Sequence, residues 1–315
     1  MQKTNNHSDF YPLLLNTDQS ICYNEIGIEI PCDGSGQDGE INKRLTEPDA
    51  RFVVRNDMVR DLLTDLVWGR NAAPGEFPMT WAEAFDHVSE LNESSYLGID
   101  QWRLPSRREL YSLVSHRYTN PALPEGHPFV NVFSGYYWTA TPSRRLMNQA
   151  WYIHLGGGRI HRGMKVGSYM VWPVAGPRAD EMVMPERYVN KENVLRDGMT
   201  ERMWLKPEGK AVRPVTWQGA FNIIDELNLH RAEGHGDWRL PNIRELDSLV
   251  NLNSHSPALP EAGKQDDIAE GYWSATTSAY EKRYAWVLYT RDGGIGVGFK
   301  TLPDFCVWAV RNETR

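Results

Sequence analysis

Cationic side chains gather in two stretches whose spacing suits capture of an anion. The first is Ser143-Arg144-Arg145-Leu146-Met147-Asn148-Gln149, with Arg159, Arg162 and Lys165 shortly after it. The second is Ser278-Ala279-Tyr280-Glu281-Lys282-Arg283-Tyr284, followed by Arg291 and Lys300. A guanidinium presents paired N–H groups that match sulfate or carboxylate. Tyr280 and Tyr284 would add aromatic faces for a ligand. A solvated charged loop accounts for the same residues without any ligand, and both readings stand.

Other chemistry finds less support. His154 and His161 flank Gly156-Gly157-Gly158 and could approach one another, but a third metal ligand is lacking. Calcium would need six to eight oxygens from clustered acids and amides, whereas Asp266-Asp267 and Asp292 stand isolated. No metal and no cofactor are expected. The chain has no Gly-x-Ser-x-Gly, His-Glu-x-x-His or phosphate-loop motif and no cysteine set beside a histidine, so no catalytic residue is assigned. The net charge of -7 argues against nucleic acid or an anionic membrane held by bulk charge. No stretch approaches the ~18 apolar residues of a membrane span. The apolar run Pro12-Leu13-Leu14-Leu15 is too short for a signal-peptide core.

Of the three cysteines, Cys306 sits in an apolar run and is expected to be buried. Cys22 and Cys32 bracket a short polar stretch, which a disulfide would close in an oxidising compartment. Two reduced thiols on a surface hairpin are the other reading.

The elements that position these residues are organised by a duplication. Trp102-Arg103-Leu104-Pro105 recurs as Trp238-Arg239-Leu240-Pro241, a displacement of 136 (238 − 102). The same displacement carries Arg51 to Arg187, Trp68 to Trp204, Thr80-Trp81 to Thr216-Trp217 and Arg108-Glu109-Leu110 to Arg244-Glu245-Leu246. After one deletion it becomes 135 (273 − 138), so that Tyr137-Trp138 meets Tyr272-Trp273, Trp151 meets Trp286 and Lys165 meets Lys300. A repeat this long is domain-sized and could bury a core of its own. The expected organisation is an N-terminal extension 1–50, a first domain 51–176, a linker 177–186 and a second domain 187–315. Within the extension, Asp33-Gly34-Ser35-Gly36-Gln37-Asp38-Gly39 has the composition of a flexible loop.

Each copy reads as α+β. Thr80 with Glu83, Ser106 with Glu109 and Asn242 with Glu245 have capping-box spacing, while Thr216 faces Gly219 and keeps half a box. Apolar positions at helical spacing follow each cap. Residues 136–141, 150–155 and 169–174 are aromatic and β-branched and predict strands, with the Gly156-Gly157-Gly158 turn making a hairpin. The tryptophans Trp68, Trp138, Trp151 and Trp172 occur at matched places and predict core. For Trp102, Arg103, Arg108 and Glu109, and for Trp238, Arg239, Arg244 and Glu245, a network pinning helix to sheet is the expected role.

The order of these motifs resembles the Lcl C-terminal domain family, named for a bacterial collagen-like adhesin. Those motifs are the capped helix, Trp-Arg-Leu-Pro-(Ser/Asn)-x-Arg-Glu-Leu, Tyr-Trp-(Thr/Ser)-Ala-Thr, a Trp-bearing strand and a Gly-rich turn. Cys22-Tyr23, Ile30-Pro31-Cys32 and Gly34-Ser35-Gly36-Gln37-Asp38-Gly39 also look like the leader segment of such proteins. The resemblance implies two tandem C-type-lectin-like domains, each with two helices on a twisted antiparallel sheet. It also implies a bacterial origin and a place at the cell surface, outside the cell or in the periplasm. With no signal peptide visible, the cytoplasm stays open. For the named adhesin it implies binding of sulfated glycosaminoglycans. The expected function is thus non-enzymatic binding of a glycan or protein, with an assembly subunit that could self-associate as the alternative and an enzyme of unknown type third.

Overall fold

The computed structural model of the protein describes residues 16–42, 51–177, 187–260 and 268–313. The Pro12-Leu13-Leu14-Leu15 run, the expected linker beyond Pro177 and the Asp266-Asp267 pair lie outside the described residues. Two compact units result. Residues 51–177 belong to one, while residues 16–42 join 187–313 in the other.

The segment 16–42 is short but closely bonded. Its strands β1 (Cys22–Tyr23) and β2 (Glu29–Ile30) pair antiparallel, and α1 (Asp38–Asn42) follows. Cys22 and Cys32 are joined by a disulfide, with their Cα atoms 5.2 Å apart. A β-carbon at Gly39 would come 2.9 Å from Cys22 Sγ, so only glycine allows this approach. The composition of 33–39 predicted a flexible loop, but Gln37, Asp38 and Gly39 are buried. The reason is the Asp38 carboxylate, which accepts from the Thr17 and Thr276 hydroxyls and from the Asn42 amide. A buried carboxylate with three donors holds its backbone in place.

In the first repeat, β3 (Phe52–Arg55), β4 (Met58–Asp61) and β5 (Val67–Gly69) form an antiparallel meander closed by β9 (Val174–Ala175). Helices α2 (Trp81–Glu93) and α3 (Arg107–Ser112) carry the expected capping boxes at Thr80 and Ser106. A second antiparallel sheet runs β6 (Tyr136–Pro142), β7 (Gln149–His154) and β8 (Arg159–Met164), with a register shift between Trp138 and Pro142. The second repeat matches it strand for strand and α-helix for α-helix. Its meander is β10 (Tyr188–Lys191), β11 (Val194–Asp197) and β12 (Arg202–Leu205), closed by β16 (Val310–Asn312). Helices α4 (Trp217–Leu229) and α5 (Ile243–Ser248) precede β13 (Gly271–Thr277), β14 (Tyr284–Tyr289) and β15 (Gly294–Phe299).

The core lies where helices meet these sheets, and tryptophan fills it. Trp68, Trp138, Trp172, Trp204, Trp273 and Trp308 are fully buried, and Trp151 nearly so. Trp68 meets Trp172 edge-on at 5.5 Å, as Trp204 meets Trp308 at 5.7 Å. Cys306 is a buried free thiol. One expected strand is reduced. Residues 169–172 make only isolated bridges to Met79 and Tyr137, and the ladder resumes at Val174. Pro173 stands between, and proline has no N–H to continue a ladder.

Candidate ligand-binding site

The sheet β6–β7–β8 sorts its side chains by strand alternation. On β7, Trp151 and Ile153 turn to one face and are buried, whereas Tyr152 and His154 turn to the other and stay partly open. On that second face three rings meet. The Tyr152 centroid lies 4.9 Å from Tyr136 and 5.0 Å from Tyr169, which are themselves 5.2 Å apart. The group grows out of the core, since Tyr169 packs 4.3 Å from Trp138. Gly163 makes room for it: a β-carbon there would come 2.5 Å from the Tyr169 hydroxyl. His154 stands 4.8 Å from Tyr136, and His161 stands 6.2 Å from Tyr152. The register sets Arg159 opposite His154, at the rim. Tyr136 is 43% exposed. Among the described residues, the hydroxyls of Tyr136, Tyr152 and Tyr169 make no hydrogen bond with the protein.

The electrostatics keep this face neutral except at its rim. Burial raises the Tyr152 phenol to about 12, with Tyr169 and Tyr136 adding and Arg159 and Arg162 opposing. Burial, then Tyr136, also raises Tyr169. His154 falls below its usual 6.5 through burial and the Arg159 charge. His161 falls through burial, which outweighs its bond to the Arg162 carbonyl, with Arg162 and Arg159 adding. Near neutral pH the face therefore offers phenol O–H donors, ring faces and uncharged imidazoles, with the Arg159 cation beside them. A sugar ring stacked on tyrosine, with an acidic substituent toward Arg159, meets complementary chemistry at both ends.

The second repeat does not carry this face. Gly271, Val287, Tyr289, Gly296 and Phe305 stand where the first has Tyr136, Tyr152, His154, His161 and Tyr169, and Gly294 replaces Arg159. The bridge of Phe305 to Val215 repeats that of Tyr169 to Met79, which fixes the equivalence.

The cations singled out in the sequence do not form one cluster. Arg162 lies on the opposite face, 5.5 Å from the Trp151 ring, and donates to Gln149 Oε1 at 3.3 Å. Lys165 sits 4.2 Å over the Trp81 ring. Arg144 is exposed and Arg145 half-buried in the loop before β7. In the second repeat, part of the basic loop is engaged within the chain. Lys282 is half-buried, donates to the Ala279 carbonyl at 2.6 Å and faces the Tyr23 ring. Arg283 is held by Glu281 through two hydrogen bonds of 3.1 and 2.9 Å, and Tyr284 packs on Phe299. Tyr280 stays open, at 70% exposure. The cause is local: Glu281 is two residues from Arg283, and residues 16–42 pack on this side of the domain.

The repeated Trp-Arg-Leu-Pro block is architectural. Arg103 donates twice to Glu109, both at 2.7 Å, and Arg239 donates twice to Glu245, both at 2.6 Å, with Arg202 joining at 2.7 Å. Trp102 and Trp238 are buried, each locked by an asparagine, Asn92 or Asn228, that bonds both its N–H and its carbonyl. Arg108 is half-buried on α3, and Arg244 is buried on α5. Among the described residues, no group of three or more His, Cys, Asp or Glu could hold a metal, and no helix is long and apolar enough to cross a membrane. The tyrosine group was not read from the sequence. Its signal was there, as aromatic, imidazole and guanidinium side chains two apart on neighbouring strands (Tyr152 with His154, Arg159 with His161), a set that the other copy lacks.

The family model of the Lcl C-terminal domain matches residues 57–175 and again 193–311. Among curated proteins, nothing matches the chain.

Proposed function

The chain belongs to the Lcl C-terminal domain family, which it carries in two tandem copies, and from that premise we propose a non-enzymatic protein whose first repeat binds anionic glycans. The observation that carries this reading is the group of Tyr136, Tyr152 and Tyr169 with Arg159 at its rim. Aromatic rings with unspent hydroxyls suit a carbohydrate, and an arginine suits its sulfate or carboxylate. The lectin-like architecture and the sulfated-glycan ligand implied by the family resemblance agree with it. A surface or envelope location in a bacterium belongs to the same proposal, and the Cys22–Cys32 disulfide suits an oxidising compartment.

Calorimetric titration with a sulfated heparin oligosaccharide and its desulfated counterpart tests the reading. Binding should need the sulfate and weaken with added salt. Arg159→Ala and Tyr136→Ala should each lower affinity about tenfold, equivalent to roughly 1.4 kcal/mol. Equal affinity for both oligosaccharides, or none for either, would overturn it. Assembly through protein contacts is a second reading, favoured by the uncovered Trp81–Phe85 side of the first repeat.

A further inference from the structure

The two repeats differ in what covers one shared face. On the second repeat, residues 16–42 lie over the start of α4 and the end of β13. Lys300 Nζ rests 3.8 Å from the Trp217 ring centroid and donates to the Asn24 carbonyl at 3.2 Å, the Tyr23 carbonyl at 3.4 Å and the Thr277 hydroxyl at 2.9 Å. Gly36 is set against Phe221, where a β-carbon would come to 3.2 Å from the ring. Thr276 donates to Asp38 at 2.7 Å. Under this cover Trp217 is 1% exposed, Phe221 8%, and Lys300 and Thr276 not at all.

The first repeat keeps the same four residue types. Trp81, Phe85, Thr141 and Lys165 stand at the places of Trp217, Phe221, Thr276 and Lys300. Lys165 again lies over its tryptophan, at 4.2 Å. Yet Phe85 is 40% exposed, and Trp81, Thr141 and Lys165 are all partly open. Among the described residues the Lys165 ammonium makes no hydrogen bond, although its backbone bonds Asn148 and Trp81. Met147, at the place of Lys282, is 86% exposed.

We propose that this open face of the first repeat docks an acidic, glycine-bearing polypeptide loop of another protein, built like residues 16–42. The chemistry of the occupant follows from the covered copy. Backbone carbonyls meet the lysine, a glycine lies on the phenylalanine, and a carboxylate accepts from the threonine. The partner is a different polypeptide for a reason of number. Each chain carries one such segment and two such faces, so exchange between identical chains leaves one face open per chain whatever the pairing. One position sets a limit on likeness. Gln19 bonds the Thr277 backbone on both its N–H and its carbonyl, whereas the first repeat has Pro142 there, with no N–H to offer.

The test uses the full chain and a labelled, oxidised peptide of residues 16–42 as the probe. The protein's own segment covers the second repeat at high effective concentration, so added peptide is directed to the first. Fluorescence anisotropy should show saturable one-to-one binding. Lys165→Glu should weaken it at least tenfold, and Pro142→Thr should tighten it several-fold by restoring the N–H. Absence of binding to the unmodified chain would overturn the proposal, even if Pro142→Thr bound. So would Lys165→Glu binding as tightly as the unmodified chain, or displacement of the peptide by a sulfated oligosaccharide.

Discussion

Thr276 donates its hydroxyl to the carboxylate of Asp38, 238 residues away in sequence, across 2.7 Å. Thr17 and Asn42 donate to the same carboxylate, at 2.6 and 2.9 Å. This one acid ties the N-terminal segment to a domain that lies beyond another whole domain in the chain. Asp38→Ala leaves the buried Thr17 and Thr276 hydroxyls without their acceptor, at a cost of about 1–3 kcal/mol. Hydrogen exchange should quicken across residues 21–42 and along β13. The first repeat should be unaffected.

Two buried groups under this segment titrate in opposite senses. Burial, opposed by the Thr17 and Thr276 hydroxyls, raises Asp38 from 3.8 to about 6. Its proton is favoured in the docked state, so its contribution is full below pH 3.8 and is lost as pH rises through about 6. Burial, opposed by Glu25, lowers Lys300 from 10.5 to about 7. The docked state favours the neutral amine, so docking gains as pH rises from about 7 to 10.5. Exchange protection of residues 21–42 should therefore be weakest between about pH 6 and 7. Asp38→Asn should flatten the acid side of that profile, and Lys300→Met the alkaline side.

Glu245 anchors the second Trp-Arg-Leu-Pro block. Burial would raise its pKa, but Arg239 and then Arg202 prevail and hold it at about 2. With the folded value below the ordinary 4.5, its stabilisation is present above pH 4.5 and lost as pH falls toward 2. Glu245→Gln leaves Arg239 and Arg202 short of their counter-charge, and the domain should lose roughly 3–5 kcal/mol. Chemical denaturation at neutral pH measures this loss. A change under 1 kcal/mol would remove the network from the list of what holds helix to sheet.

Much of the fold was legible because it is written twice. Trp102 and Trp238, the caps at Ser106 and Asn242, and the strands carrying Trp138 and Trp273 could be read from residue type and spacing alone. Less could be read where pairing is non-local. The meander of Phe52–Arg55 and Met58–Asp61 is short and half-exposed, so it lacks the apolar alternation that marks a strand. The docking of Asp38 depends on a threonine on β13, and no local pattern announces that. For the candidate site, charge was visible and geometry was not. Arg159 reaches the tyrosine face, but strand alternation sends Arg162 to the other side, and Glu281 claims Arg283. The tyrosines were read only as strand formers.

Histidine gives the proposed site a pH dependence. His154 and His161 are held below 6.5 by burial and by neighbouring arginine charge. Both are neutral near pH 7 and take up protons only in more acidic solution, adding positive charge beside Arg159. Affinity for a sulfated oligosaccharide should rise as pH falls from 7 toward about 5. His161→Gln should blunt that rise while leaving the affinity at pH 7.5 within about twofold. An affinity flat over this range would separate the histidines from the site.

The claim that one face of the first repeat is the glycan site is tested most directly by hydrogen exchange of the full chain with and without a saturating sulfated heparin oligosaccharide. Slower exchange should appear in residues 136–142, 149–154 and 159–164, with no change in the matching strands of the second repeat. Protection confined to residues 278–284, or the same in both repeats, would contradict it.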